Sequence, residues 1–182
     1  MATNDVHQRL HSHRGFAAVQ DGTISRANYA KLLIRLEAFH IAFEAAARIG
    51  NQRSNWLAQD IGAVLGTRWL PGAAAHRPTI PLLDSNERVL GALYVVEGSA
   101  LGGIGLARGL DSLLGSGVSD GRRFFAGRGS VTGSAWRDFI ARLDLVSVQP
   151  AARLAAIDAA VATFSVFEVW LADWRKANVG RN

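Results

Sequence analysis

Two groups of residues could support chemistry, a glycine-rich apolar run and a pair of histidines near the N-terminus. The run, residues 88–110, reads RVLGALYVVEGSALGGIGLARGL and contains six glycines within a segment of otherwise helical character. Each glycine in a helix interior costs about 1 kcal/mol relative to alanine. The run therefore needs a compensating interaction that only glycine permits.

Most of these glycines fall on one side of the predicted helix, within an arc of about 60°. The glycines on this strip are Gly91, Gly98, Gly102, Gly105 and Gly109. A bare strip can be approached by a second helix or by a flat ligand laid against the backbone, with a kink near Gly102–Gly103 opening room. Spacing alone leaves both interpretations open and favours helix packing.

The two histidines are His7 and His11, four residues apart on a helix predicted over about residues 3–14. At this spacing, both side chains lie on the same helix face. They could hold a metal ion together. Alternatively, one imidazole binds a metal while the other accepts a hydrogen bond from its ring. The sequence shows no third ligand nearby.

Helices must position these residues, because 3.6-residue periodicity dominates and strand patterns are nearly absent. We predict an all-α fold with a single domain over residues 1–182 and antiparallel neighbouring helices. Further helices are predicted after Ser25 to about Ile49, over about 54–66, after Asp84, after Thr132, and from about Pro150 to Lys176. Residues 71–84 are predicted to form a loop, and residues 115–128 a loop or a short-helix region.

Two of the predicted helices carry apolar stripes that should face the core. In the second helix, the stripe consists of Tyr29, Leu32, Leu33, Leu36, Phe39 and Phe43. In the last helix, it consists of Leu154, Ile157, Val161, Phe164, Phe167, Leu171 and Trp174.

Composition excludes several classes of protein. The chain has no cysteine, which rules out disulfides, thiolate nucleophiles and iron–sulfur clusters. The net charge of +5 is modest, and no nucleic-acid-binding motif accompanies it. No uninterrupted apolar stretch reaches the roughly 18–20 residues of a membrane helix, and the N-terminus lacks a hydrophobic signal region. We expect a cytoplasmic protein that binds neither nucleic acid nor membrane.

The segment GALYVVEGSALGGIGLARGL resembles the distal helix of bacterial haem oxygenases, especially the biliverdin-producing type associated with bacteriophytochromes. The similarity extends to DVHQRLHSHRGF, to YAKLLIRLEAFHIAFE and to GRRFFAGRGSVTGSAWRDFIARLD. It implies a helical bundle that holds haem between a proximal helix and a kinked distal helix.

The resemblance also implies residue roles and a reaction. His7 matches the ligand of the haem iron, and Gly98, Gly102 and Gly103 match the distal glycines that let the backbone lie over haem. The implied oxidoreductase reaction consumes haem, dioxygen and electrons, and it yields biliverdin, carbon monoxide and iron. A separate ferredoxin or reductase would supply the electrons, and a bacteriophytochrome is an implied acceptor of the bilin.

The sequence departs from the family pattern at two positions. Animal enzymes have an aspartate where this chain has Ser99, so a serine would have to hold water in the proton route. Many relatives have a glutamate where this chain has His11, which we assign to the haem-binding set as a partner of His7. The residues expected to shape catalysis are then Gly98, Ser99 and Gly102.

Other residues receive simpler expectations. Glu97 is expected in a structural ion pair, His40 as a buried and hydrogen-bonded histidine, and Trp136 in the core. Basic residues that could contact the haem propionates are Arg122, Arg123, Arg128, Arg137, Arg175 and Lys176.

Two alternatives to a haem oxygenase remain. One is a non-catalytic haem- or bilin-binding protein with the same fold. The other is a non-haem enzyme of a related helical fold, of the thiamin-degrading type. The missing cysteine and the glycine face weigh against the second.

Overall fold

A computed structural model of the chain describes residues 13–73, 76–146 and 148–176. These residues form helices joined by turns and loops, without a strand, so the predicted all-α class is confirmed. The helices are α1 (Arg14–Gln20), α2 (Arg26–Ala47), α3 (Gln52–Leu65), α4 (Asn86–Gly109), α5 (Asp111–Leu114), α6 (Arg123–Ala126), α7 (Thr132–Val146) and α8 (Pro150–Ala172), with 3-10 turns at Gly129–Val131 and Trp174–Lys176.

The core is built around α2. Every residue of its predicted apolar stripe is at most 1% exposed, which confirms the stripe. The helix begins at Arg26 and is capped by Ser25, whose side chain accepts a hydrogen bond from the Asn28 amide at 3.3 Å. It ends at Ala47, earlier than the expected Ile49, because Arg48 adopts a left-handed conformation with φ of 54°.

The long helices α4 and α8 pack tightly against each other. A Cβ atom at Gly91 would overlap the carbonyl oxygen of Ala156, so only glycine permits this approach. The predicted stripe of the last helix is wrong at its start, because Leu154 and Ile157 are 61% and 39% exposed. Alanines take their place, since only small side chains fit between backbones this close.

By length and apolar composition alone, α4 and α8 are two helices that could cross a membrane. In this fold, both helices bury part of their surface: Val95 of α4 and Ala160 and Phe164 of α8 form one apolar cluster.

Two buried carboxylates of α2 form hydrogen bonds with the segments at the two ends of α3 and hold them against this core. Glu37 accepts a hydrogen bond from the indole nitrogen of Trp69 at 3.0 Å, which holds the loop after α3. Glu44 accepts one from the Ser54 amide at 3.3 Å and thereby holds the first turn of α3. Both acidic groups are at most 1% exposed, and their role is structural.

The start of α4 differs slightly from expectation. Ser85 caps the helix by accepting a hydrogen bond from the Arg88 amide at 3.3 Å. Because Ser85 is the cap and the helix starts at Asn86, Glu87 is the second helical residue. Hydrogen bonds from its own backbone and from the Ser85 side chain lower the pKa of Glu87.

Candidate functional site

The glycine strip of α4 has two different uses along its length. At its ends, Gly91 lies against the Ala156 carbonyl of α8 and Gly109 against the Val19 carbonyl of α1. In the middle, a Cβ atom at Gly102 or Gly105 would meet nothing within 4 Å among the neighbouring segments that the structure describes. The packing interpretation therefore applies at the ends of the strip, and the ligand interpretation stays a prediction for its bare middle.

Gly98 and Gly103 complete the wall around this bare segment. A Cβ atom at Gly98 would lie 3.4 Å from the ring of Trp136, and one at Gly103 would lie 2.7 Å from the Phe125 carbonyl oxygen. Gly103 therefore lets α6 approach α4 closely. The helix continues through Gly102 and Gly103, and the kink expected there stays a prediction.

The bare segment opens on a cavity of about 470 Å³, a size typical of small-molecule and cofactor sites. Its walls are largely aromatic and aliphatic. Besides α4, they are formed by Phe16 and Gln20 of α1, Leu36, Phe39 and His40 of α2, Arg53 of α3, Phe124 and Phe125 of α6, Trp136 of α7, and Phe164 and Phe167 of α8. Such a cavity suits a large flat apolar ligand.

His40 is the most deeply buried polar group in these walls. It is 2% exposed, as expected of a buried histidine. However, its Nδ1 atom has no hydrogen-bond partner in the described part of the chain. Burial, and secondarily the charge of Arg53, holds the pKa of His40 well below its usual value. The imidazole is therefore neutral, with an unused polar atom.

Arg53 brings a positive charge to the cavity that sequence patterns do not indicate. Its guanidinium lies 3.1 Å from a carboxylate oxygen of Glu97, and Arg128 lies 3.8 Å from the other oxygen. The expectation that Glu97 forms a structural ion pair is confirmed. Nothing in the residues around Arg53 distinguishes it from an exposed arginine, because its position depends on how α3 meets α4.

Ser99 lies on the cavity wall next to Gly98. Its hydroxyl donates a hydrogen bond to the Val96 carbonyl at 2.8 Å, one turn earlier in α4. The proton of the hydroxyl is thus engaged with the helix backbone. A ligand or water at Ser99 would meet an acceptor oxygen.

Arg122 is not available to a ligand, contrary to the expectation that it could contact propionates. It is 8% exposed, and it donates to the carbonyls of Ala107 at 2.9 Å and Gly115 at 2.7 Å. These bonds tie the loop before α6 to the end of α4. None of the other five expected residues lines the cavity, although the Lys176 side chain lies outside the described residues.

Asp60 of α3 positions α6 and with it one wall of the cavity. Its carboxylate accepts hydrogen bonds from the amides of Arg123 at 2.9 Å and Phe124 at 2.8 Å. Burial raises the pKa of Asp60 to about 6, although these two hydrogen bonds oppose the shift. Phe124 and Phe125 are held against the ligand space as a result.

Trp136 lines the cavity, whereas the sequence analysis places it in the core. It packs with Tyr94 at a ring distance of 5.4 Å and with Phe139 at 5.7 Å. His7 and His11 lie outside the described residues. Of the residues predicted to form the site, the structure brings together Gly98, Ser99, Gly102 and Gly103, which all line the cavity.

Comparisons with known proteins identify the family and the fold. Residues 1–173 match the sequence model of a family described as heme oxygenase. The fold is similar to that of the haem oxygenase of Neisseria meningitidis, solved with NO and CO bound. The TM-score is 0.72 at 22% identity, covering 99% of this chain and 91% of that chain. Among curated proteins, no significant match is found.

Proposed function

The chain belongs to the haem oxygenase family, and we propose that the cavity along α4 is where it binds haem and opens it. The family assignment confirms an enzyme of haem degradation. The proposed products are biliverdin, carbon monoxide and iron. The observation that carries the proposal is the cavity against Gly102 and Gly105, where the helix backbone presents no side chain.

The described residues fit haem by shape and chemistry. The cavity walls are mostly apolar, and the phenylalanines of α2, α6 and α8 provide flat surfaces for a macrocycle. Any side chain larger than hydrogen at Gly102 would project into the space above the ring. Bound haem iron would supply the dioxygen chemistry, and the protein's contribution is orientation and water control.

We propose His7 as the iron ligand, on the strength of the family resemblance. In sequence, it lies nine residues before Phe16, which lines the cavity together with Gln20 of α1. We assign His11 to the same haem-binding set, as a hydrogen-bond partner that orients the His7 ring.

On the other face, Gly98, Ser99 and Gly102 are proposed to shape the reaction. Gly98 and Gly102 would keep side chains out of the part of the cavity that haem would fill. The Ser99 oxygen accepts a hydrogen bond from water, since its own proton is held by Val96. Gly103 acts on the same space indirectly, because it lets α6 close the wall.

We further propose dioxygen as the oxidant, with electrons from a separate ferredoxin or reductase that docks transiently. A bacteriophytochrome is the proposed acceptor of the bilin, in line with the subtype that the sequence resembles. A cytoplasmic location suits both partners.

The proposal is tested by titrating the purified protein with haem and then adding ascorbate or a reductase in air. We expect a Soret band that decays as biliverdin absorbance rises. A stable Soret band under these conditions would instead identify a haem carrier without turnover.

The ligand assignment is tested with His7→Ala, and His76→Ala is the control because His76 is exposed. We expect His7→Ala to lose the axial-imidazole spectrum and ring opening together, while His76→Ala retains both. An unchanged haem spectrum in His7→Ala would refute the assignment.

A further inference from the structure

A second, much smaller cavity lies beside the main one, on the far side of a shared wall. Both cavities are lined by Arg53, Ala100 and Trp136. The small cavity has a volume of about 10 Å³, close to the minimum for a single water molecule. Its remaining lining includes Glu97, Arg128 and Thr132.

One residue of this small cavity has an unused hydrogen-bonding group. Thr132 is 5% exposed, and its Oγ1 atom has no partner in the described part of the chain. A buried hydroxyl without a partner costs about 1–3 kcal/mol, so a water molecule bonded to it is strongly favoured. The space and the unpaired hydroxyl together indicate an ordered water.

The small cavity also reaches the surface through charged groups. The side chain of Glu97 is 21% exposed and that of Arg128 is 42% exposed, and the two form an ion pair. The second oxygen of Glu97 is held by the more deeply buried Arg53. The Glu97 carboxylate therefore links the half-exposed Arg128 at the surface to Arg53 at the wall of the main cavity.

We propose that Glu97, a water on Thr132 and Arg53 form a proton entry route from solvent to the main cavity. The proposal rests on the proposed function, because haem opening reduces dioxygen. Reduction of dioxygen to water consumes one proton for each electron, so the cavity would need a supply of protons. A proton that leaves this water for the main cavity is replaced from solvent through Glu97. Arg53 is a positioning residue that holds the carboxylate. The route also supplies a proton that Ser99 cannot donate, because the Ser99 hydroxyl already donates its hydrogen bond to the Val96 carbonyl oxygen.

Thr132→Val tests the route with almost no change in side-chain shape. Thr163→Val is the matched control, because Thr163 is equally buried, also lacks a partner for its hydroxyl, and lines neither cavity. We expect haem affinity, from the Soret titration, to be unchanged in both variants. Haem opening by Thr132→Val should slow about tenfold or more, since positioned proton transfer contributes 10²–10⁴-fold. Its solvent deuterium isotope effect should rise, and Thr163→Val should behave as the wild type.

Glu97→Gln is the second variant, since it preserves size and hydrogen bonding but cannot carry a proton. We expect it to slow haem opening and raise the isotope effect as Thr132→Val does, with partial recovery in Glu97→Asp. A high-resolution crystal structure of the haem-free protein should show a water within hydrogen-bond distance of Thr132 Oγ1.

Three results would overturn the route: an empty small cavity in that crystal structure, wild-type rates in Thr132→Val, or wild-type rates in Glu97→Gln. If the wild-type protein itself does not consume haem, the proposed function fails and the route with it. Turnover in the wild type combined with full-speed variants would refute the route alone.

Discussion

His40 shows how a single residue of the cavity wall can cost stability. Its unpartnered Nδ1 atom is buried, and such an atom typically costs about 1–3 kcal/mol. The imidazole must also remain neutral in the fold, since burial lowers its pKa. Proteins accept such costs mainly at functional sites, where a polar group is needed for a ligand or for water.

We expect His40→Leu to raise the free energy of unfolding of the haem-free protein by about 1 kcal/mol, because no polar atom is then left unpaired. Urea denaturation measures this change. The same variant should open haem more slowly, since the cavity loses a group that can bind water. A destabilised His40→Leu protein would show that Nδ1 is already hydrogen-bonded, for example to a buried water.

The pH dependence of stability should also change in this variant. The folded-state pKa of His40 lies below 6.5. The contribution of the neutral imidazole to the free energy of unfolding is therefore complete above pH 6.5 and is lost as the pH falls below that value. We expect His40→Leu to reduce this loss, while His76→Leu, at an exposed position, leaves it unchanged. Some slope should persist, because burial also lowers the pKa of His13.

Among the helices, α4 combines firm attachment with an exposed backbone. Its ends are fixed by backbone contacts at Gly91 and Gly109, while one face of its middle, at Gly102 and Gly105, is open among the described residues. Glycine is required at both places, but for folding in the first case and for the ligand in the second. Replacing glycine by alanine should therefore have opposite effects on protein stability at the two places.

Gly102→Ala should stabilise the haem-free protein by about 1 kcal/mol, because alanine favours the helix and meets no other atom. It should weaken haem binding about tenfold or more, since a methyl group enters the ligand space. Gly91→Ala should lower the free energy of unfolding by more than 1 kcal/mol, because α8 must move away. Denaturant titration and Soret titration separate the two effects. Equal destabilisation by both variants would contradict the division of the strip.

The short helix α6 depends on a carboxylate from another helix. In Asp60→Asn, the amide group can accept only one of the two backbone hydrogen bonds, so we expect a loss of about 1–3 kcal/mol. Burial raises the pKa of Asp60 from 3.8 to about 6. The contribution of Asp60 to the free energy of unfolding is therefore largest below pH 3.8 and falls as the pH rises to 6.

This decline should be absent in Asp60→Asn, which is measured as the difference between the two proteins from pH 4 to 7. Asp84→Asn is a suitable control, because Asp84 forms only a half-exposed pair with Arg88. A decline of equal size in Asp60→Asn would show that another group titrates.

How far sequence predicts an element depends on what its residues touch. The stripe of α2 is predictable because it faces a core of ordinary side chains, and burial follows periodicity. The stripe of α8 fails at Leu154 and Ile157 because the partner surface is a glycine backbone, which selects alanine. Helix α1 is not evident, because its seven residues are too few to show a clear period.

At the scale of the whole molecule, the site is assembled from residues that are distant in sequence. Its walls come from seven helices, spanning Phe16 to Phe167. The glycines and Ser99 are predictable because they share one helix. Arg53, Trp136 and His40 are not, because their place in the wall depends on how α2, α3 and α7 meet α4.

Haem should therefore stabilise the whole fold and α4 most of all. We expect saturating haem to raise the unfolding temperature in proportion to the logarithm of its concentration. Amide hydrogen exchange should slow most around Gly102 and Gly105, with little change around Gly91. Uniform protection along α4 would contradict the contrast between its middle and its ends.

The contact between Gly91 and Ala156 also bears on protein synthesis. Helix α8 is made after every other long helix described here, yet it provides Phe164 and Phe167 of the cavity wall and the surface on which α4 packs. While the ribosome is still translating this helix, the nascent chain has an incomplete cavity. With haem bound in this cavity as proposed, we expect capture of the reactive iron porphyrin to be postponed until α8 has been made and has docked.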